Sequence, residues 1–492
     1  MNSALYIILA FLLIALYLGI QSKKGKKMDL EQWAVGGRGF GTILVFMLMA
    51  GESYTTFTFL GASSWAYSKG GPALYILAYL SINYVVIYWL YPAIWKYGKE
   101  KKLVSQSDFF ASKYNSPFLG VLAAIIGVVS MIPYIVLQLK GLGIIVSVAS
   151  YGAISPTLAV WIGVIAVTIY VMISGIHGSV WTAILKDIMI FCVVIFIGIY
   201  LPFHYYGGIE PMFKAVQSAK PGFLALPGSG LSLTWFISTV IVTVLGGLTW
   251  PHLFAAAYSA KNGTTIRRNA IVTPLYTLMI LFIFFVGTVA VLQVPGLKNT
   301  DLALLQVSVK TFDPWFVGLI GSAGLLTALV PGSMLLINSS TSLSRNVYKV
   351  IFPKATEKQV SNLSKFLIPV IALVSVYFTL NGGQGIVVLL LLAYDFIAQL
   401  LPPVIFSFTK KRIVTKYGAA AGMISGVLIV AAINLTGATM GSLFPFLPQA
   451  MKDLSIGMVA LIVNTAVMLI VSLLTKNLAV TAAPVKEETQ ST

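Results

Sequence analysis

The chain has 492 residues, 58% of them hydrophobic and 9% charged, and its formal net charge is +18. A soluble domain carries roughly 45–50% apolar residues, and a chain of this length could not hide so much more from water, so a soluble globular protein is excluded. Long apolar runs also exclude an outer-membrane barrel, whose strands alternate in short segments. They turn the positive charge from a nucleic-acid signal into loop charge on one side of a membrane. The single cysteine, Cys192, rules out an intrachain disulfide.

The first apolar run, residues 3–20, is followed rather than preceded by its bases, Lys23, Lys24, Lys26 and Lys27. A cleaved secretory signal has the opposite order, so this run reads as a retained first helix with its N-terminus outside. Further spans of about 20 apolar residues fall at 41–66, 72–94, 118–148, 156–176, 182–204, 232–254, 270–294, 314–343, 366–380, 386–408, 417–436 and 455–474, making 13 transmembrane helices. The shortest, 366–380, is expected to extend at one end. With the N-terminus outside, 25 of the 32 basic residues fall in cytoplasmic loops and the tail, and six fall outside. That split predicts an outside N-terminus and a cytoplasmic C-terminus.

Two spans are interrupted. In "VFMLMAGESYTTFTFLGASSWAY", residues 45–67, Gly51, Glu52 and Ser53 break the apolar run. In "TWFISTVIVTVLGGLTWPHLF" the breakers are Gly246, Gly247 and Pro251. Each break opens a set of five spans, which is the pattern of an inverted-repeat transporter with its site at the two breaks. The expected organisation is an N-terminal extra helix and cytoplasmic loop (1–40), a first repeat (41–205), an extracellular loop (206–231), a second repeat (232–408), two C-terminal helices (409–475) and a cytoplasmic tail (476–492).

A carboxylate near the bilayer centre costs roughly 2.5–3.5 kcal/mol on insertion scales. Glu52 is therefore read as a coupling-site residue in the first turn of a new half-helix, partnered by a cation, a proton or a lysine such as Lys140. The N-terminus of that half-helix suits a substrate carboxylate. Ser53, Thr55, Thr56, Gly247 and Trp250 are the candidate substrate residues. Asp395, mid-span, and His252, at the second break, are candidates for a titrating role, with a satisfied interior position as the plainer reading.

Three stretches together resemble the sodium–solute symporter family, which includes proline, pantothenate, monocarboxylate and sugar permeases. They are "MDLEQWAVGGRGFG" (28–41), "SSTSLSRNVYK" (339–349) and "QLLPPVIFSFTKKRIVTKYGAAAGMISG" (399–426). The overall texture is closest to the monocarboxylate and pantothenate permease branch. The resemblance implies an all-α polytopic fold of 13 helices around a five-plus-five inverted-repeat, LeuT-like core. It also implies a sodium site made by the carbonyls of Gly51 and Tyr54 with oxygens from the stretch Thr327, Val330 and Pro331. Val330 and Pro331 have no side-chain oxygen, although a short gap brings Ser333 into register. Ala183 stands where many members have Asp. Lys186 lies three residues on, on the same helical face, and its ammonium could fill the space that a sodium ion vacates. The competing reading makes Lys186 a positive-inside anchor at a helix end, snorkelling to the surface.

The expected function is a secondary active symporter in the cell membrane. It imports a small polar solute, with a small organic acid preferred, and a proton is favoured over sodium as the coupled cation. A sodium-coupled symporter of the same fold is the alternative, ahead of a channel or a membrane sensor. No nucleotide-binding loop, nucleophile constellation or metal-ligand cluster is present, so neither an enzyme nor a cofactor beyond H+ or Na+ is expected. The expected partners are a small-molecule substrate and the lipid bilayer, with no nucleic acid and no required protein partner.

Overall fold

The computed structural model describes residues 3–25, 29–51, 53–409 and 413–476. Among them every regular element is helical except one isolated bridge between Phe40 and Ala260. The chain begins with α1 (Ser3–Gln21) and the short α2 (Leu30–Val35), which Asp29 caps through the Gln32 N–H. The first interrupted span is α3 (Thr42–Gly51), an irregular stretch and α4 (Ala62–Ser68). Then come α5 (Tyr75–Glu100), α6 (Gln106–Lys113), α7 (Pro117–Ala149) and α8 (Pro156–Tyr206). After α9 (Ile209–Ala219), the second interrupted span is α10 (Leu233–Gly247) and α11 (Pro251–Ser259), bent by 48°.

The second half continues with α12 (Gly263–Thr277), α13 (Ile280–Gln293), α14 (Ala303–Thr311) and α15 (Pro314–Thr341). It then runs through α16 (Lys349–Ile351), α17 (Glu357–Asn381), α18 (Ile386–Ile397) and α19 (Leu401–Phe406). The last elements are α20 (Lys416–Thr436), α21 (Met440–Leu443), α22 (Gln449–Lys452) and α23 (Ile456–Leu474). α15 is the axis of the bundle. Every residue from Ile320 to Thr341 is buried, as expected of a helix that is apolar or small on all sides.

Among the described residues ten helices are long and apolar enough to cross a membrane, and the bent α10–α11 pair brings the number to eleven. Two of the thirteen expected spans thus fall on shorter apolar helices, Thr42–Gly51 and Pro156–Ile169, and the count of thirteen is not reached on length alone. The span expected at 366–380 does extend, back to Glu357, where Thr356 and Gln359 form a capping box.

The expected loop between 176 and 182 is absent. α8 passes through a bend at Gly175 instead, with φ 54° and ψ −143°. Only glycine adopts this conformation without strain. A Cβ there would also strike the Trp33 carbonyl and indole ring. Trp33 Nε1 in turn donates to the Val171 carbonyl at 3.2 Å. Gly175→Ala is therefore expected to cost at least the ~1–3 kcal/mol of a disfavoured backbone. Thermal unfolding of the purified protein checks this, with a lower Tm than wild type as the result.

Ionic contacts tie the repeats at both ends. Asp108, in the capping box of α6, accepts from Arg345 Nε at 3.1 Å and from Asn346 Nδ2 at 2.7 Å. This gives the "SLSRNVY" stretch a structural role. At the other end Lys140 of α7 lies 3.2 Å from Asp301 and donates to the Gln384 carbonyl at 2.7 Å. Among the described residues Asp301 is therefore the ionic partner of Lys140.

Candidate functional site

The first break starts at Gly51. Ser53 N and Tyr54 N both return to the Ala50 carbonyl, at 2.9 and 3.3 Å, but Thr55 N, which would continue the ladder to Gly51 O, donates to Thr58 Oγ1 at 2.8 Å, so the Gly51 carbonyl, with that of Tyr54, is open to another donor. Lys186 takes both. Its Nζ donates to Gly51 O at 2.6 Å and to Tyr54 O at 2.9 Å, and it lies 3.2 Å from Asp187 Oδ1. Tyr276 OH donates to the same Asp187 oxygen at 3.0 Å. Lys186 is 0% exposed, which overturns the snorkelling-anchor reading: the bend at Gly175 carries this part of α8 into the protein rather than to a helix end. Ala183, also buried, faces Gly51 beside the lysine, as their three-residue spacing requires. A charged group buried this deeply is tolerated only when paired and fully hydrogen-bonded, and two carbonyls plus a carboxylate provide that.

The other predicted cation residues are not drawn in. Thr327 Oγ1 donates to its own helix at Gly324 O, 2.5 Å away. Ser333 Oγ donates to Val330 O at 2.5 Å and lies 2.6 Å from Ser179 Oγ of α8. Among the described residues neither hydroxyl bonds to Lys186 or to the Gly51 and Tyr54 carbonyls. Glu52 lies outside the described residues.

Around the break, Ser53 Oγ lies 3.0 Å from Tyr84 OH, which donates to Met49 O at 3.1 Å. The N–H groups that begin the next helical turn are already taken. Thr55 N donates to Thr58 Oγ1 at 2.8 Å, Thr56 N to Gln138 Oε1 at 3.2 Å and Phe57 N to Thr55 Oγ1 at 3.1 Å. This corrects the expectation of a free half-helix N-terminus for a substrate carboxylate: the hydroxyls of Thr55 and Thr58 cap the backbone themselves, while that of Thr56 does not. α7 can reach the break because Gly141 packs directly on Thr56, where a Cβ would overlap the Thr56 methyl.

At the second break the freed carbonyls are also held. Tyr91 OH donates to Leu248 O at 3.2 Å, and Gln106 Nε2 donates to Thr249 O. Thr249 Oγ1 is within hydrogen-bond distance of Gly246 O (2.9 Å) and Ile397 O (2.8 Å). Trp250, 2% exposed, is the centre of an aromatic cage. Its ring lies 5.2 Å from Tyr134, 5.3 Å from His252 and 5.4 Å from Tyr394, and Tyr394 is 5.5 Å from Tyr79. Gly247 backs onto the Asn83 amide, about which a Cβ would sit at 3.0 Å.

Between the two breaks, several buried polar atoms have no partner: Asn83 Oδ1, Gln138 Nε2, Thr56 Oγ1 and Tyr54 OH. Orphaned groups at this depth are expensive. Asn83 and Gln138 were missed in the sequence, although an amide inside an apolar run ("SINYVV", "IVLQLKG") was a visible signal. No group of His, Cys, Asp or Glu that could hold a metal ion occurs among the described residues.

A family model described as the sodium:solute symporter family matches residues 33–426. The chain belongs to that family. A Bacillus subtilis (strain 168) protein named uncharacterized symporter YhjB is 60% identical over 478 residues, 97% of this chain and 98% of the relative. A monocarboxylate transport permease protein of Rhizobium johnstonii (strain DSM 114642 / LMG 32736 / 3841) is 26% identical, covering 86% of each chain. A solved structure of a Na+-coupled sialic acid symporter overlays 99% of this chain and 100% of its own with a TM-score of 0.79 at 15% identity, which shows the fold. This sodium:solute symporter family member is thus a solute symporter and a multi-pass membrane protein of the LeuT-like fold.

Proposed function

We propose that this symporter is coupled to protons rather than sodium, with the Lys186 ammonium standing where the family resemblance places a sodium ion. One observation carries the reading: Lys186 Nζ occupies both the Gly51 and the Tyr54 carbonyl. A sodium ion needs several oxygen ligands, as hard cations in general do. Here two of them are spent on a tethered cation, and Ala183, Val330 and Pro331 supply none. The proton carried on Nζ supplies at that position the positive charge that a bound sodium ion would bring. The sodium-coupled alternative draws support from relatives named for sodium, such as the sodium/pantothenate symporter of Haemophilus influenzae, 24% identical over 456 residues.

The substrate is a small organic acid held between the breaks. The amide of Gln138 and the hydroxyl of Thr56 donate to it, Asn83 Oδ1 accepts from it, and Trp250, Tyr134 and Tyr394 pack its apolar part. The protein lies in the cell membrane with its N-terminus outside and its C-terminus in the cytoplasm, a reading that the 25-to-6 split of basic residues supports.

Proteoliposomes test the coupling. Acetate, lactate, pyruvate and pantothenate are offered under an inward proton gradient or an inward sodium gradient, imposed separately. The expected result is accumulation of one acid under the proton gradient in sodium-free buffer. Uptake that requires sodium at constant pH would overturn the proposal.

A further inference from the structure

Behind the aromatic cage, a cavity of about 510 Å³ opens between α10, α18 and the hairpin that joins α20 to α23. Its lining includes Trp235, Thr239, Val388, Asn434 and Lys452, and Asp395 of α18 lies within it. The cavity does not belong to the site already described, and the mechanism above does not use Asp395.

Asp395 is unusual in what surrounds it. Among the described residues it has no ion pair, and the backbone of Gly457 lies against it. Gly457 of α23 presses so closely on the carboxylate that a Cβ there would overlap Oδ1 and crowd Val242 of α10. α10 and α23 contain no titratable side chain. From α5, Tyr75 faces it; Tyr394 is its neighbour on α18; Lys452 and Asp453 line the cavity wall. Asp453 is engaged by Gly230 N at 3.0 Å and Gln449 Nε2 at 2.8 Å. Thr243 Oγ1 turns back to the Thr239 carbonyl at 2.7 Å, and Thr239 Oγ1 is buried without a partner.

A carboxylate sunk in a membrane protein without a counter-ion marks an ion pathway more often than packing. Asp395 is partly buried at the cavity wall; charge left unpaired in such a place is costly, and binding a cation removes the cost. One carboxylate and one hydroxyl are too few oxygens for a metal ion, whereas a proton needs only one.

We propose that Asp395 is a second proton-binding site, loaded through this cavity, whose charge state sets the packing of α18 against α10 and α23. The consequence reaches the substrate site through the next residue. Tyr394 lies against Trp250 and Tyr79, so any shift of α18 moves one wall of the cage. The proposal rests on the symporter reading above, but its test needs no transport.

The test uses the full-length protein in detergent. A protonated-carboxyl infrared band that responds to pH is expected in wild type. It should be lost in Asp395→Asn and kept in Asp187→Asn and Asp453→Asn. A band unchanged in Asp395→Asn overturns the proposal. A second readout is thiol labelling of Val388→Cys, on α18 in the same cavity, in a Cys192→Ser background. Its rate should vary with pH in a way that Asp395→Asn removes and Asp395→Glu restores. The same pH response with and without Asp395 also overturns the proposal. If the proteoliposome assay instead finds sodium-driven uptake, the coupling reading falls, while the infrared and labelling results still decide Asp395.

Discussion

Lys186→Met is expected to abolish proton-driven uptake and to destabilise the protein by about 3–5 kcal/mol, the usual cost of breaking a buried ion pair from one side. The substitution keeps the length of the side chain but removes three donors. Asp187 is then left buried beside an apolar group, with only Tyr276 OH at 3.0 Å, and the carbonyls of Gly51 and Tyr54 lose the partner that holds the break. Denaturant unfolding in detergent measures the loss. The double variant Lys186→Met with Asp187→Asn removes both charges and should recover part of the stability, because what is most costly is the charge left behind. Transport should not recover with it. A single variant as stable as wild type, still concentrating substrate, would contradict the role given to the ammonium.

The second large effect is expected from Trp250→Ala. This ring is buried at the second break and touches Tyr134, His252 and Tyr394. Truncating a buried Trp typically costs about 3–5 kcal/mol, and here it also removes the wall between the two breaks. Uptake should be lost with stability, whereas Trp250→Phe, which keeps an aromatic face, should retain most of both. Thermal unfolding and uptake assayed on the same preparations separate the two losses. Full uptake by Trp250→Ala would remove the cage from the substrate site.

Both effects depend on residues that the sequence reveals to different degrees. The breaks are legible, because Gly51, Ser53, Gly246, Gly247 and Pro251 interrupt runs that are otherwise apolar, and backbone without a helical ladder must be used for something at that depth. Lys186 is legible as a neighbour of Ala183 on one helical face, but its burial is not. It looked like a residue near a helix end because the expected spans 156–176 and 182–204 leave a loop between them. The bend at Gly175 needs a partner, Trp33, that lies far away in the chain. The same limit hid the partner of Lys140: nothing near that lysine points to Asp301. Asn83 and Gln138 were visible as lone amides, yet their relation to the breaks appears only when α5 and α7 are packed. Thr55 and Thr56 stand out as hydroxyls in an apolar run, but local hydrogen bonds to the backbone claim the Thr55 hydroxyl and leave that of Thr56 without a partner.

The central claim is that a tethered ammonium holds the position of a bound sodium ion. Equilibrium binding of radioactive sodium to the purified protein, at fixed pH and without substrate, tests it most directly. No saturable sodium binding is predicted for the wild type, since Lys186 Nζ already occupies Gly51 O and Tyr54 O. Saturable binding of one sodium ion per wild-type chain would contradict the claim.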